Sequence, residues 1–443
     1  MRFNQHGKEV DSFYHLAGHD LANTRCQGLA CFVARHQNPG RWLEAASQSG
    51  RVYCLGKCYV GPSSALDEER PRAEVHSRVP IVLKRIAEGG ARSFSAYTTG
   101  GGYVALEGAL ARDPGDLVRE IDLSGLRGRG GAGFPAGRKW RAVLSETSPE
   151  KFIVANADEG DPGAYIDRFI IEDDPHALIE GMAIAGYTVG ARRGYVYLRA
   201  EYPRAHTILS DANAEARSTS VLGERILGAD FSFDIEVVIG HGSYVCGEET
   251  ALLNSIEGRR PEVRARPPYP TSQGLWGKPT LVHNIETLSS VVWIVLNGAA
   301  RYAGLGTPTS AGTKVISLNS LFKRPGLYEI EFGVSVRHIV DVLGGGLKTG
   351  SLKGVIIGGP LAGVIPPSLL DTPFGFDELH AIGASVGHGG VVAFDERTSI
   401  LELMHHVFDF GAFESCGKCT PCRLGSREIE EMLREAVQHG EAA

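Results

Sequence analysis

Three closely spaced cysteines near the end of the chain, Cys416, Cys419 and Cys422, limit most strongly what it can fold into. A C-x2-C-x2-C run brings three thiolates onto one tight turn, which is how a protein holds a cubane [4Fe–4S] cluster. No cysteine follows Cys422 in the sequence. The run therefore predicts a [4Fe–4S] cluster that this chain cannot close locally with a fourth cysteine.

Four more cysteines form two close pairs near the N-terminus. Cys26 and Cys31 have C-x4-C spacing, Cys54 and Cys58 have C-x3-C spacing, and a helix-like stretch from Arg41 to Ser49 separates the pairs. Two such pairs can converge on one inorganic centre, either a [2Fe–2S] cluster or a structural zinc ion. Small and apolar residues around the second pair suit a loop that wraps a cluster. We therefore favour the cluster and keep zinc as the alternative.

The first residues, Met1 to Thr24, are polar and charged throughout and contain no apolar segment typical of a secretory signal. We therefore expect a cytoplasmic protein, in which cysteines are metal ligands or redox groups before they are disulfides. The eighth cysteine, Cys246, is expected to be a small buried thiol.

Composition excludes several classes of protein. The 443 residues carry a net charge of −7, so nothing favours binding to a nucleic-acid phosphate backbone. The most apolar stretch, from Thr287 to Ala300, is interrupted by serines and an asparagine and is too short to span a membrane, so we expect no direct membrane insertion. Glycine is abundant, at 57 residues, and indicates many tight turns or close backbone approaches to a ligand.

Part of this glycine lies between Leu123 and Trp140, where Gly128, Gly130 and Gly133 form a G-x-G-x-x-G pattern. The residues before it are not an apolar strand, so we reject the ordinary dinucleotide-binding fingerprint. Successive glycines still allow backbone N–H groups to close on a phosphate, and Arg129 and Lys139 add positive charge. We predict a phosphate cradle here, with a plain glycine loop as the alternative.

Two strand-like segments run directly into polar residues. The run from Lys151 to Ala155 leads to Asn156 and Asp161, and the run from Phe233 to Ile239 leads to Tyr244, Glu248 and Glu249, followed by a helix over Thr250–Glu257. Open α/β sheets bind ligands just past the carboxyl ends of their strands. Amide and carboxylate groups suit a flavin edge or ribose hydroxyls, and an acid such as Asp161 beside a ribose favours NAD over NADP. The alternative for either segment alone is a solvated acidic turn.

Together with the segments around Arg266–Pro270 and Gly277–Thr287, these motifs occur in the order typical of one family. From about Gly101 to Glu431 the chain resembles the NADH-oxidising flavoprotein subunit of respiratory complex I and of soluble NAD-linked hydrogenases and formate dehydrogenases. The N-terminal cysteine pairs resemble the thioredoxin-like [2Fe–2S] subunit of the same complexes, here fused in front. The fusion favours the β-type diaphorase subunit of the soluble, often electron-bifurcating, enzymes.

The resemblance implies an α/β fold with four domains: a partial thioredoxin-like [2Fe–2S] domain over 1–95, a Rossmann-like FMN- and NADH-binding domain over 96–312, a β-grasp, ligand-binding-like domain over 313–395, and a shortened helical [4Fe–4S] domain over 396–443. Relatives supply the fourth thiolate of the cubane from a later segment. For this chain we expect a shortened sequence, and the alternatives are a ligand such as His439 or a glutamate, or a cluster that is partial or lost.

The resemblance also assigns roles to individual residues. Glu159 and Glu249 are expected to position and tune the nicotinamide and ribose, and Phe134 and Tyr269 to stack on the adenine. Residues expected to hold FMN or NADH are Gly128, Arg129, Gly130, Gly131, Lys139, Asn156, Asp158, Asp161, Tyr244, Gly247, Glu248 and Asn284. Contacts at His283 and Ala142 are doubtful, because relatives carry other residue types there. The remaining histidines, including His405 and His406, are expected to be structural.

These inferences predict an NADH dehydrogenase (diaphorase) subunit that passes electrons from NADH through FMN to iron–sulfur clusters. Its expected partners are the other subunits of a hydrogenase or formate dehydrogenase complex. The first alternative is the flavoprotein subunit of respiratory complex I. An alternative of another class is a zinc-stapled binding protein that retains the fold but has no redox function.

Overall fold

The computed structural model describes residues 14–48 and 50–439. The beginning of the first predicted domain, the last residues of the fourth, and Ser49 at the end of the first predicted helix lie outside these ranges.

The described chain contains both helices and strands. The α-helices are α1 (Leu29–Val33), α2 (Pro39–Ser47), α3 (Lys84–Ala87), α4 (Phe94–Thr99), α5 (Val104–Leu110), α6 (Pro114–Leu123), α7 (Ala136–Ser145), α8 (Ile166–Asp173), α9 (Pro175–Val189), α10 (Pro203–Ser218), α11 (Glu249–Ile256), α12 (Pro270–Gln273), α13 (Ile285–Asn297), α14 (Ala299–Ala303), α15 (Phe376–Ala381), α16 (Ile400–Glu414) and α17 (Thr420–His439). The strands are β1 (Arg72–Val75), β2 (Phe152–Ala157), β3 (Arg193–Leu198), β4 (Asp234–Ile239), β5 (Thr280–Asn284), β6 (Thr313–Leu318), β7 (Gly326–Glu331), β8 (Leu352–Ile357), β9 (Val364–Ile365) and β10 (Gly390–Asp395).

The first sheet is parallel and has the strand order β4-β3-β2-β5. Helices α8 and α9 connect β2 to β3, and α10 connects β3 to β4. Such crossovers cover the faces of a parallel sheet and explain why β2, β3 and β5 are nearly continuous buried runs. The mixed α/β fold with a parallel sheet confirms the expected fold class. Because α6 precedes the glycine-rich loop, the absence of the usual strand there is also confirmed.

The apolar stretch from Thr287 to Ala300 forms most of α13, a core helix beside the first sheet. Its serines are buried because each bonds to its own helix: Ser289 Oγ donates to the carbonyl of Ile285, and Ser290 Oγ donates to that of Glu286. Of the helices that the structure describes, none combines the length and the apolar character that crossing a bilayer requires.

The second sheet is mixed and has the strand order β1-β7-β6-β10-β8-β9. Strands β6 and β7 are antiparallel, β8 and β10 are antiparallel, and β6 and β10 lie parallel at the centre. Two antiparallel pairs joined by a parallel central pair are the strand arrangement of a β-grasp sheet.

The N-terminal segment differs from the expected thioredoxin-like domain. Its described residues 14–71 contain α1 and α2 but no strand, and β1 pairs with β7 in the second sheet. Glu329 of β7 is buried and accepts N–H groups from Ile81, Val82 and Leu83, at 2.8 to 3.2 Å. Apolar residues of α1 join the main core. The segment buries apolar side chains of α1 against the rest of the chain.

Helix α16 lies against the cysteine-bearing N-terminal segment. The His406 ring stacks on Phe32 with centroids 4.3 Å apart, and Tyr53 Oη donates to Asp409 Oδ2 at 3.1 Å. His405 contacts Glu430 Oε1 of α17 at 3.1 Å. Both histidines therefore hold helices in place, in agreement with the structural role that the sequence predicts.

Candidate functional site

Two adjoining cavities lie beyond the carboxyl ends of β2, β4 and β5, where an open parallel sheet binds its ligands. They have volumes of about 520 and 570 Å³, within the range of small-molecule sites. We call them the inner and the outer cavity. Both are lined by Gly130, Asn156, Gly247, Glu248 and Asn284, so they form one continuous cleft. Asn156 and Asn284 are register partners on adjacent strands, which explains why distant sequence motifs meet here.

The glycine-rich loop forms one wall of the cleft, and its glycines are required by close backbone approach. A Cβ atom on Gly130 would lie 2.8 Å from Cβ of Asn284, and one on Gly133, at φ +59°, would lie 2.7 Å from the Phe376 ring. Gly131 has a φ of +126° and forms a bridge to Gly387 of the second sheet domain. The loop thus presents bare backbone to the cleft, which suits a phosphate.

Arg129 corrects one detail of the sequence prediction. Its side chain is fully buried, and its guanidinium donates to Tyr302 Oη at 2.6 Å and to the carbonyl of Ala311 at 2.7 Å. The guanidinium also donates to the carbonyl of Arg127 in the loop at 3.1 Å, and the backbone N–H donates to Thr287 Oγ1 in the first turn of α13 at 2.8 Å. The charge of Arg129 therefore fastens the loop from behind and does not reach the cleft, a side-chain direction that sequence spacing cannot reveal.

The outer cavity combines exposed aromatic rings with fixed charges. Phe134 and Tyr269, which the resemblance assigned to adenine, are 48% and 58% exposed on its wall. Lys139 Nζ lies 2.7 Å from Glu249 Oε2, and Arg266 lies 3.1 Å from Glu249 Oε1. One carboxylate thus holds two cations beside two rings, an arrangement suited to an adenine with nearby phosphates.

Polar groups on the inner side fit a ligand that carries hydroxyl or imide groups. Asn156 Nδ2 donates to the carbonyl of Gly247 at 2.8 Å, and its Oδ1 accepts the N–H of Asp158 at 3.1 Å. Asp158 Oδ2 is buried without a hydrogen-bond partner among the described residues, and burial raises the pKa of Asp158 well above its usual range. An unsatisfied buried oxygen on a cleft wall is what a ligand hydroxyl would satisfy. Together with the glycine cradle, it fits FMN.

Asp161 and Tyr244 lie on the inner cavity only. Tyr244 Oη donates to Asp161 Oδ1 at 2.6 Å, and the Tyr244 backbone N–H donates to Glu414 of α16 at 3.0 Å. Asp161 is therefore separated from the aromatic rings of the outer cavity. The carboxylate of Glu249 lies on the same wall as those rings.

Glu159 lies on neither cavity, contrary to the expectation that it contacts the nicotinamide. It is buried and accepts the backbone N–H groups of Ile166, Asp167 and Arg168 at the start of α8, at 2.5 to 3.2 Å. Burial alone raises the pKa of Glu159, but His388 and these N–H groups outweigh burial and lower it. Glu159 is thus a charged helix cap. Its neighbour Asp158 faces the cleft instead.

Sequence reasoning missed His388, which follows Gly387 just before β10 and was expected to be structural. Its Nε2 lies 3.1 Å from Glu159 Oε1 and 3.1 Å from Asp167 Oδ2, and the residue lines the inner cavity. Burial lowers the pKa of His388, but the two carboxylates outweigh burial and raise it well above the usual value. Its position between glycines is the only sequence signal that could have drawn attention to it.

The C-terminal cysteines lie at the rim of the same cleft. Cys416 and Cys422 line the inner cavity, while Cys419 and Cys422 are solvent-exposed. His439 is excluded as their fourth ligand, because it ends the helix on which Cys422 lies. At a rise of about 1.5 Å per residue, α17 separates the two residues by about 25 Å.

The N-terminal cysteines Cys26, Cys31, Cys54 and Cys58 are all buried. The sulfurs of Cys54 and Cys58 are 3.9 Å apart, and the Cys31 sulfur lies 3.4 Å from Ser63 Oγ. A hydrogen bond from Cys58 lowers the pKa of Cys54 to about 7, which favours the thiolate that a metal binds. The backbone N–H of Gly56 also donates to the Cys54 sulfur, at 3.3 Å.

The cysteines meet in pairs and not in one tight group. Four thiolates on one zinc ion lie about 3.8 Å from each other, because the Zn–S bond is about 2.3 Å long. Within residues 14–48 and 50–439, the only three His, Cys, Asp or Glu ligand atoms within 4.8 Å of one another belong to Glu159, Asp167 and His388. Neither cysteine set is therefore arranged around a single ion.

Comparison with known proteins agrees with this geometry. Residues 121–293 match the Nuo51 FMN-binding domain of the complex I 51 kDa family, and residues 402–443 match the NADH-ubiquinone oxidoreductase-F iron–sulfur binding region. The chain is 45% identical to the HndC subunit of the NADP-reducing hydrogenase of Solidesulfovibrio fructosivorans over 77% of this chain and 70% of that one. It is 43% identical to an F-type subunit of the NADH-quinone oxidoreductase of Rhizobium meliloti over 82% of this chain and 86% of that one.

A solved structure extends the likeness to nearly the whole chain. A chain of the NAD+-reducing [NiFe]-hydrogenase in the H2-reduced state superposes with a TM-score of 0.80 at 30% identity, covering 97% of this chain and 78% of that chain. The likeness thus reaches beyond the two matched regions, although the thioredoxin-like nature of the N-terminal segment is not among the features it establishes. The chain belongs to the complex I 51 kDa family of NADH dehydrogenase flavoprotein subunits.

Proposed function

We propose that this chain is the diaphorase subunit of a cytoplasmic hydrogenase or formate dehydrogenase complex, transferring electrons between NAD(H), FMN and iron–sulfur clusters. The observation that carries the proposal is the composition of the inner cavity. Its wall contains Asn156 and Asp158, the residues predicted to hold FMN, together with Cys416 and Cys422 of the predicted cubane. A flavin in this cavity would thus lie next to the group that takes its electrons.

FMN, when bound, accepts two electrons from NADH as hydride and releases them one at a time to clusters. The chain's own residues bind and orient the two nucleotides. In this proposal the glycine loop and Asn284 hold the flavin nucleotide, and Asp158 Oδ2 accepts a hydroxyl. The Glu248 side chain is held in the cleft wall, because it accepts the N–H groups of Thr250 and Ala251 at 3.0 Å and caps α11.

NADH would occupy the outer cavity. Phe134 and Tyr269 offer faces for adenine, and Lys139 and Arg266 offer charge for the pyrophosphate. Glu249 positions both cations and faces the ribose, so it remains the positioning carboxylate. Glu159 has no such role in the proposal, because its oxygens are committed to the start of α8 and to His388.

The paired arrangement of Cys26, Cys31, Cys54 and Cys58 supports a [2Fe–2S] cluster over zinc, because two irons are each held by one pair. Cys416, Cys419 and Cys422 would supply three ligands of a [4Fe–4S] cluster. Arg199 donates to the carbonyl of Cys54 at 3.0 Å and to that of Glu159. It thereby ties the N-terminal site to the loop that borders the flavin cavity.

The structural likeness supports the hydrogenase assignment, because it extends over 97% of this chain. The sequence matches do not separate the two assignments, since the hydrogenase relative covers 77% of this chain and the F-type subunits from Rhizobium meliloti and Aquifex aeolicus cover 82% and 84% of it. Purification from the native cells tests this choice. A nickel–iron, iron-only or molybdenum subunit that co-purifies supports the proposal, and quinone-linked membrane subunits would replace it with complex I.

Metal and flavin analysis of the anaerobically purified chain tests the redox function itself. We expect one FMN and about six irons per chain, since a [2Fe–2S] and a [4Fe–4S] cluster together hold six. About two irons would indicate only the N-terminal cluster. Zinc without iron or FMN would reject the redox function in favour of a zinc-stapled binding protein.

A further inference from the structure

His388 is a fixed cation in an otherwise acidic cavity. Among the described residues that line the inner cavity it is the only basic one, opposite the carboxylates of Asp158, Asp161, Glu248 and Glu414. Its side chain is only 9% exposed, and Nε2 lies at 3.1 Å from a carboxylate oxygen on either side. Burial lowers the pKa of His388, but the charges of Asp167 and Glu159 outweigh burial and raise it well above the usual value, so the ring is held as an imidazolium. Nε2 is close to both carboxylates without a hydrogen bond of good geometry to either.

The other nitrogen of the ring is available to a ligand. Nδ1 forms no hydrogen bond with any described residue, and it is not among the polar atoms that are fully buried without a partner. His388 lines the inner cavity, and its Nε2 is fully buried, so Nδ1 is the polar atom of the ring that can reach the cavity. The chain therefore aims one N–H donor of a charged ring into the cleft and leaves it without a partner of its own.

Two elements that favour anions converge on the same place. Gly131 of the glycine-rich loop forms a bridge to Gly387, the residue before His388. The loop is fastened to the first turn of α13 through Thr287, and Asn284, which caps α13, contacts Asp167 Oδ2 at 2.7 Å. Bare glycine backbone and the N-terminus of a 13-residue helix both attract a phosphate, and His388 lies beside them.

We propose that His388 binds the phosphate of the flavin nucleotide, as a charged donor that the β-grasp domain contributes to a site otherwise built by the first sheet. The inference rests on the proposed FMN site and adds a phosphate ligand to it. Glu159 and Asp167 act as positioning residues for the ring. The negative charge of Glu159 is already stabilised by three backbone N–H groups of α8. The positive charge of the His388 ring is therefore the one that faces the cavity.

The test compares FMN with riboflavin, which lacks the phosphate, by fluorescence titration of the full chain after its flavin is removed. H388Q keeps a neutral polar group of similar length, and H380Q changes an exposed histidine of the same domain as the matched control. We expect H388Q to weaken FMN binding by about ten-fold or more, as the loss of a hydrogen bond to a charged group implies. Riboflavin binding should stay within about two-fold of wild type, and H380Q should change neither.

Other outcomes are equally informative. Equal losses for FMN and riboflavin, or a loss for NADH with FMN unchanged, would overturn the phosphate assignment in favour of a contact with the ring or with NADH. Unchanged FMN binding would overturn it outright. If H388Q does not fold, H388S, which adds no bulk, is judged by the same outcomes. A wild-type chain that binds neither flavin would instead overturn the proposed function.

Discussion

At the scale of single residues, the Glu249 side chain forms two ion pairs at once, with Lys139 and with Arg266, on the wall of the outer cavity. A carboxylate there accepts from both cations and, in the proposed function, is the charge that disfavours the 2′-phosphate of NADPH. Its replacement should therefore affect the choice and binding of the nucleotide, and leave the flavin in place.

We expect E249Q to lower kcat/KM for NADH by about ten-fold and to reduce discrimination against NADPH, with FMN content unchanged. Steady-state kinetics with an artificial acceptor and the flavin-to-protein ratio measure both effects. E74Q, which alters an exposed pair with Arg72 far from the cleft, is the control and should change neither. Loss of flavin from E249Q would show that Glu249 supports FMN instead.

His283 makes a pH-dependent contribution to stability. Burial, with Lys139 nearby, lowers its pKa from 6.5 to about 3, and its Nε2 accepts the N–H of Trp140 at 2.9 Å. The ring is neutral in the folded chain but takes up a proton below pH 6.5 once unfolded. Its contribution is thus complete above pH 6.5 and is lost as pH falls towards 3.

This loss should amount to about 2 kcal/mol of unfolding free energy by about pH 5. Urea unfolding of wild type and H283N across this range measures it. The asparagine offers Trp140 an acceptor that does not titrate, so the stability of H283N should fall less steeply with acid than that of wild type. Parallel curves would contradict the assignment.

The cleft residues differ in how far the sequence could predict them. Asn156, Tyr244 and Asn284 were found because each follows a strand or motif that fixes its place at one sheet edge. Asp158 and Glu159 are adjacent, yet one faces the cleft and the other caps a helix, because side-chain direction in a loop depends on distant partners. The role of His388 could not be predicted for the same reason, since both of its carboxylate partners lie more than two hundred residues earlier in the chain.

At the scale of elements, the start of α8 depends on one buried carboxylate. Glu159 accepts three backbone N–H groups, accepts Tyr202 Oη at 3.1 Å, and pairs with His388. Because Glu159 is completely buried, removing its charge leaves these N–H and O–H donors and the His388 imidazolium without a charged partner.

We expect E159Q to lower the free energy of unfolding by about 3 kcal/mol, with KM for NADH little changed if the protein is assayed while folded. Urea unfolding and steady-state kinetics separate the two. D371N, which removes an exposed pair with Arg337, should leave stability unchanged. A raised KM at unchanged stability would return Glu159 to the substrate site.

Helices and strands were predicted well where the hydrophobic pattern and the length of a segment indicated the same type of element. The predicted strand over 233–239 is β4, and the predicted helix over 250–257 is α11 shifted by one residue. Strand β1 was missed because its alternation of polar and apolar residues lasts for only four positions and its partner β7 lies some 250 residues away. Such pairing depends on the whole fold.

At the scale of the whole molecule, two separate cysteine sets should hold iron independently. We expect C54S to remove about two irons per chain and C419S about four, because each variant loses one ligand of a different cluster. C246S, at a buried thiol outside both sets, is the control and should lose none. Iron analysis with electron paramagnetic resonance measures each loss. If one variant emptied both sites, the clusters would not be independent.

The placement of β1 limits how the N-terminal segment can be exchanged between proteins by recombination. The chain enters the second sheet at its edge, leaves it to build the first sheet, and then returns to complete it. Excising residues 1–95 would strip β7 of a neighbouring strand and leave the buried Glu329 without the three N–H groups of Ile81, Val82 and Leu83. The N-terminal cysteine segment therefore cannot be exchanged as a cassette: recombination that keeps the fold must carry it together with β7.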